Sequence, residues 1–377
     1  RRKALKGANY VVNAIQVGGY DPCTITDFEV PKKYGLRQTI ADTLGIGGIF
    51  RTLRTLPVML DFAHDMEAVC PGAWMLNYTN PMAMLTGGLL RGSSVRVVGL
   101  CHSVQVAASS LLGSLGLDKK YPPSACRQYV AGINHMGWLL KITHNGVDLY
   151  PEIKRVAAQK LKAWRKEKDP SKKSWNMVRL QMMLEIGYYI TESSEHFSEY
   201  VTHFIKAAHP GLIAEYNIPL DEYPRRCIGQ IEWWKKQARE LVSNPKLDHT
   251  RTHEYASYIM EAMETNRAIQ IGGNVLNNGL ITNLPPKACV EVPCLVDANG
   301  VQGCAVGDLP EVCAAYNRTN INVQLLTIEA VLEQRKDRIY QAAMLDPHTA
   351  AELTLDQIRA LCDDLIAAHG DWLPRFR

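Results

Sequence analysis

The sequence predicts an α/β protein, a parallel sheet with crossover helices followed by an α+β region. Three observations predict it. Short apolar runs alternate with helical patterns over residues 1–140. Residues 266–310 are rich in Gly, Asn, Pro and Val, the punctuation of antiparallel strands. Residues 311–370 return to helical spacing, with Leu353, Leu355, Ile358, Leu361 and Leu365 on one face. Strand–helix–strand order implies parallel pairing through crossovers. A length of 377 residues suits one large domain or two intimate ones. We place the division at 128/129, a partial cofactor-binding domain over 1–128 and an α+β domain over 129–377.

Taken in order, Lys6-Gly7-Ala8-Asn9 reads as a helix stop before a first strand, Tyr10–Ile15. Val17-Gly18-Gly19-Tyr20 follows it, as a tight turn or as backbone that approaches a ligand. Gly45, Gly47 and Gly48 precede a helix over Ile49–Val69 but do not follow a strand, so the dinucleotide template is not met. Amides there could still face an anion. A second strand, Trp74–Tyr78, runs into Asn80-Pro81 and a helix over Pro81–Leu90. Asn80 either caps that helix or offers its amide to sugar hydroxyls. The third strand, Val95–Leu100, ends at Cys101-His102-Ser103. Between Lys154 and Lys173 lie nine basic residues, which read as a solvated face rather than an anion site. Residues 176–265 read as mostly helical.

Hydrophobic residues make up 46% and charged residues 21%, so a large core is expected and global disorder is excluded. A net charge of +4 over this length is too weak a bias for nucleic-acid binding. The longest uncharged stretch, Ala68–Leu90, is interrupted by Pro71, Asn77, Asn80 and Pro81, and no membrane span or leader is expected. Ten scattered cysteines with no CxxC pair read as reduced thiols of a cytoplasmic protein.

In parallel sheets, ligands sit beyond the C-terminal strand ends, so the polar residues there are the candidates. Cys101 and His135 could share a borderline metal, because thiolate and imidazole both suit such ions. Thr191 to Tyr200 holds three carboxylates, an imidazole and a phenol. A helix there would align Glu192, Glu195, His196 and Glu199 on one face able to move protons. A solvated acidic face is the bland alternative.

Asn77-Tyr78-Thr79-Asn80-Pro81-Met82, Gly99-Leu100-Cys101-His102-Ser103, Gly132-Ile133-Asn134-His135-Met136 and Glu192-Ser193-Ser194-Glu195-His196 occur in an order that resembles glycoside hydrolase family 4, in particular its melibiase-type α-galactosidases. The resemblance covers essentially the whole chain. It implies a Rossmann-like sheet joined to a C-terminal domain of the lactate/malate dehydrogenase type. It also implies hydrolysis of α-galactosides with NAD and a divalent metal, usually Mn2+: oxidation at C3, loss of the C2 proton, elimination, water addition and re-reduction. Cys101 and His135 would be metal ligands. Asn80 and Asn134 would contact the sugar, and His102 and Asn134 would lie in the same shell. Asn13, Val17, Gly18, Gly19 and Asn80 would face the cofactor. Glu192, Glu195, His196 and Tyr200 are candidates for the base, and His102 for the acid. The partner is a small glycoside, with a homodimer or homotetramer expected. The family's N-terminal GxGS turn and following acidic residue are not in this sequence. The chain therefore reads as starting about two βαβ units late, roughly 60–70 residues. Rival readings are another family 4 sugar (an α-glucoside, a uronide or a 6-phosphoglycoside), an NAD-dependent 2-hydroxyacid dehydrogenase, and an inactive fragment.

Overall fold

A computed structural model describes residues 1–244, 246, 250–252 and 254–377. Ten strands form one mixed sheet. They are β1 (Tyr10–Asn13), β2 (Trp74–Asn77), β3 (Arg96–Gly99), β4 (Cys126–Ile133), β5 (Met136–His144), β6 (Val147–Asp148), β7 (Tyr189–Ile190), β8 (Ile269–Leu276), β9 (Cys289–Asp297) and β10 (Gly300–Gly303). The order is β1-β2-β3-β8-β9-β4-β5-β6, with β10 on β9 and β7 on β5. The first three strands pair in parallel and all the others pair antiparallel. The predicted strands and the antiparallel 266–310 region are therefore present, each parallel strand shorter than expected. In the described chain β1 is an edge strand, with half-exposed Val12.

Alternation along the strands divides the core in two. Met75 and Val97 point to one face, under helix Gly45–Val69 and helix Leu355–His369. Leu76 and Val98 point to the other, toward helix Ser103–Leu115 and the C-terminal half. The first long helix begins at Gly45, one turn earlier than its apolar spacing suggests. Its glycines serve the chain itself. A Cβ on Gly47 would lie 2.5 Å from the Ala41 carbonyl oxygen, and the Gly47 amide donates to Gln38 Oε1 at 3.3 Å. Residues 38–43 thus lie over this helix start, and the anion site suggested by its glycines is covered.

The long hairpin β4–β5 was not legible in the alternating pattern of residues 1–140. Its turn is short: Ile133 pairs with Met136, so Asn134 and His135 alone reverse the chain. His135 takes a left-handed conformation there, with φ 62°. Such strain costs about 1–3 kcal/mol in a non-glycine residue and gathers at functional sites.

Candidate metal and active site

The parallel strand ends and this hairpin turn meet at one level of the sheet. Cys101 lies two residues beyond the end of β3, and His135 forms the tip of β4–β5. Glu192 enters from the loop after β7, itself paired to β5. One ligand atom from each of Cys101, His135 and Glu192 falls within 4.8 Å of the others. His135 Nε2 is 3.3 Å from Glu192 Oε2, while His135 Nδ1 is 3.2 Å from the Tyr200 hydroxyl. A partner on Nδ1 fixes the ring and leaves Nε2 for a metal.

A second imidazole extends the cluster. The His196 ring meets His135 edge-on, 4.9 Å between centroids. His196 Nδ1 is 2.6 Å from Ser193 Oγ and 3.7 Å from Glu192 Oε1, and Nε2 is 3.6 Å from Asp42 Oδ1. The two oxygens of Glu192 therefore face two different imidazoles.

Burial and charge set the protonation. Burial lowers the His135 pKa, so the ring is a neutral donor. Burial drives the Cys101 thiol well above its ordinary value, reinforced by Glu291 and Glu192. A cation must arrive before that thiol ionises. Burial opposes charge on Glu192, but His135, where acid pH protonates it, and His196 outweigh burial and hold the carboxyl below its usual range. Burial opposes charge on His196 too, yet Glu192 and Asp42 outweigh it and raise its pKa to about 9. A neutral imidazole, a thiol and an ionised carboxylate form a donor set that fits a borderline divalent ion.

Other predicted residues go elsewhere. Only Ser194–Ser198 is helical, so Glu192, Glu195, His196 and Glu199 do not share one face. Glu195 is paired with Arg226. Glu199 accepts the backbone amides of Thr39, Ile40 and Ala41, at 2.8, 3.3 and 2.9 Å, and so holds the loop that carries Asp42. His102 leaves the cluster: it is exposed, lies between the rings of Tyr78 and Tyr255, and is 2.9 Å from Glu254. Its ring is half-exposed, whereas the neighbouring Cys101 is buried. Tyr200 is fully buried, burial pushes its phenol well above 10, and its hydroxyl stays at the cluster, beside His135 Nδ1.

On the expected cofactor side, Asn13 Nδ2 donates to Asn77 Oδ1 at 2.8 Å and to Thr79 Oγ1 at 3.2 Å. A Cβ on Gly18 would lie 2.2 Å from Cys23 Sγ, so that glycine is needed by the turn itself. Gly19 has open space around it, and Val17 and Asn80 are partly exposed. Asn80 Oδ1 accepts the Met82 amide at 3.2 Å, just ahead of helix Met82–Gly92, whose N-cap is Pro81. Asn134 is buried beside Glu291, a residue sequence reasoning did not single out. The available signal was a lone carboxyl amid Cys289-Val290 and Val292-Pro293-Cys294. Burial raises the Glu291 pKa to about 7, against the hydrogen bond that it accepts from the Asn274 amide.

Comparison with known proteins places this fold and site in a family of glycosidases. Residues 1–117 match Family 4 glycosyl hydrolase and residues 130–349 match the Family 4 glycosyl hydrolase C-terminal domain; the chain belongs to this family. It is 57% identical over 377 residues to an alpha-galactosidase of Bacillus subtilis (strain 168), covering all of this chain and 84% of that protein. It is 34% identical to an alpha-galactosidase of Rhizobium meliloti (strain 1021), covering all of this chain and 76% of that protein. A solved 6-phospho-alpha-glucosidase from gut microorganisms, in complex with NAD and Mn2+, shares the fold. Its TM-score is 0.80 at 22% identity, over 100% of this chain and 84% of that one. Among the described helices, none is long and apolar enough to cross a membrane.

Proposed function

We propose that the chain hydrolyses α-galactosides with NAD and Mn2+. The observation that carries the substrate is the 57% identity, along the whole chain, to an alpha-galactosidase. The observation that supports the chemistry is the convergence of Cys101, His135 and Glu192. In this reading, residues 1–128 bring the cofactor side and residues 129–377 the substrate side. Cys101 reaches across, and Val17, Gly19 and Asn80 border the cofactor. Bound NAD supplies a hydride acceptor for sugar C3, and the metal supplies Lewis-acid polarisation of the adjoining oxygens.

The protein's own groups divide the proton work. Cys101 and His135 hold the ion. Glu192, ionised near neutral pH, would accept the proton from sugar C2, and with Cys101 and His135 it would help hold the ion. His196, protonated between Asp42 and Glu192, is the group able to return a proton. This replaces Tyr200 and Glu195 as base and His102 as acid. Asn134 and Asn80 orient the sugar hydroxyls.

Phosphate recognition calls for free guanidinium or ammonium groups. Of the arginines near these segments, Arg226 is paired with Glu195 and Glu222 and Arg54 with Asp27, while Arg179 bonds Asn176 and the Thr191 carbonyl but keeps Nη2 without a partner among the described residues, and Arg51 meets the Tyr223 hydroxyl. Glu192 would repel a phosphate as well. The test is a side-by-side assay with NAD and Mn2+ on p-nitrophenyl α-galactoside, its 6-phosphate, the α-glucoside and an α-galacturonide. The unphosphorylated galactoside is expected to lead; preference for any of the others overturns the substrate. A homo-oligomer is part of the same reading, checked by light scattering.

A further inference from the structure

The metal ligands project from two different parts of the sheet, and one row of residues joins those parts. Gly99 on β3 pairs with Asn274 on β8, Asn274 pairs with Glu291 on β9, and Glu291 pairs with Gly132 on β4. Cys101 is two residues beyond one end of this row, and His135 three residues beyond the other. Inside the row, Asn274 Nδ2 donates both to the Gly99 carbonyl, at 3.3 Å, and to Glu291 Oε1, at 3.0 Å. Glycine at 99 admits all its neighbours: a Cβ there would lie 2.6 Å from Met82 Sδ and from Thr86 Oγ1 and 2.9 Å from Asn274 Cβ. The second oxygen of Glu291, both polar atoms of the Asn134 side chain and Thr191 Oγ1 are buried and, among the described residues, have no hydrogen-bond partner. All lie beside the turn or loop that presents a ligand: Asn134 precedes His135, and Thr191 precedes Glu192. Unpartnered buried polar atoms cost about 1–3 kcal/mol each, so their retention here asks for a reason.

We propose that Glu291 is a positioning residue that, through the Asn274 amide on one side and its own pairing with Gly132 on the other, holds Cys101 and His135 at ligand spacing. It touches neither substrate nor metal. The inference rests on the metal reading above but not on the identity of the sugar.

The test is binding of Mn2+ alone, with no glycoside, followed by the electron paramagnetic resonance signal of the free ion. Glu291→Gln keeps the acceptor for Asn274 and is expected within about threefold of the parent affinity. Glu291→Leu removes it and is expected to weaken Mn2+ binding about 10–100-fold, the usual range for partners of metal ligands, with the circular dichroism spectrum unchanged. If Glu291→Leu does not fold, Asn274→Ala removes the same strut from its other end and is expected to show the same loss. A folded Leu or Ala variant that binds Mn2+ like the parent overturns the proposal. So does a Gln variant as weak as Leu, because charge rather than position would then be at work. A parent chain that binds no Mn2+ sinks the metal reading together with this one, whereas failure on α-galactosides leaves it standing.

Discussion

Glu192 and Glu199 are seven residues apart, both turned into the protein, and they end in opposite conditions. Glu192 faces two imidazoles, which keep it charged. Glu199 faces three backbone amides, yet burial wins and its pKa rises to about 7. Neither residue type nor helical spacing separates them. The difference lies in what the rest of the chain brings: a hairpin turn to one, a loop in need of fastening to the other. One glutamate sits among the imidazoles of the candidate metal site, and the other fastens the loop that carries Asp42.

The sharpest way to break this contrast is to remove the ligands on the Glu192 side. Cys101→Ala or His135→Ala is expected to lower turnover about 1,000-fold or more, since a metal contributes several kcal/mol to the barrier. Melting temperature should move little; a variant that unfolds instead would make these residues structural. On the other side, Glu199→Ala leaves three amides without an acceptor and is expected to cost about 3 kcal/mol or more of stability in urea unfolding. Loss of activity with full stability would reverse the roles of the two glutamates.

Glu192→Gln is the intermediate case. It should weaken Mn2+ affinity about 10–100-fold, the scale for loss of one interaction at a metal site, and should lower kcat more than it raises KM. An unchanged Mn2+ titration removes Glu192 from the donor set. The smallest effect concerns Asp42. His196 has a folded pKa raised to about 9, so the stability it contributes is complete below its unfolded value near 6.5 and is lost as pH rises through 9. Asp42→Asn should lower the His196 midpoint by about one unit, read by NMR of its ring protons. A midpoint that stays near 9 would leave Glu192 and Glu199 as the causes.

Much of this site could be read along the chain because its parts are local. Cys101 follows β3 directly and Asn80 follows β2, the positions a parallel sheet marks out, and the Cys101–His135 pairing was legible from residue chemistry and motif order. The hidden parts are long-range. Nothing near His102 says that it turns outward to Glu254, 152 residues later. Nothing near Glu199 says that residues 39–41 will need its oxygens. The hairpin escaped notice because Asn134-His135 lacks the glycine usual in a two-residue turn. Glu291 escaped because its meaning depends on Asn274, which no spacing rule links to it.

A two-residue turn also restricts how this protein can vary. Between Gly132 and Gly137 the strands are in register at every step, so one inserted residue would send His135 to the other side of the sheet. Further out the pairing shifts between Tyr129 and Val130. A bulge of that kind absorbs an extra residue as a local bend. Natural length variation in this hairpin should therefore collect on the Cys126–Tyr129 side of the bulge and be absent from the six residues around the turn. Grafts or loop insertions made for engineering would meet the same boundary.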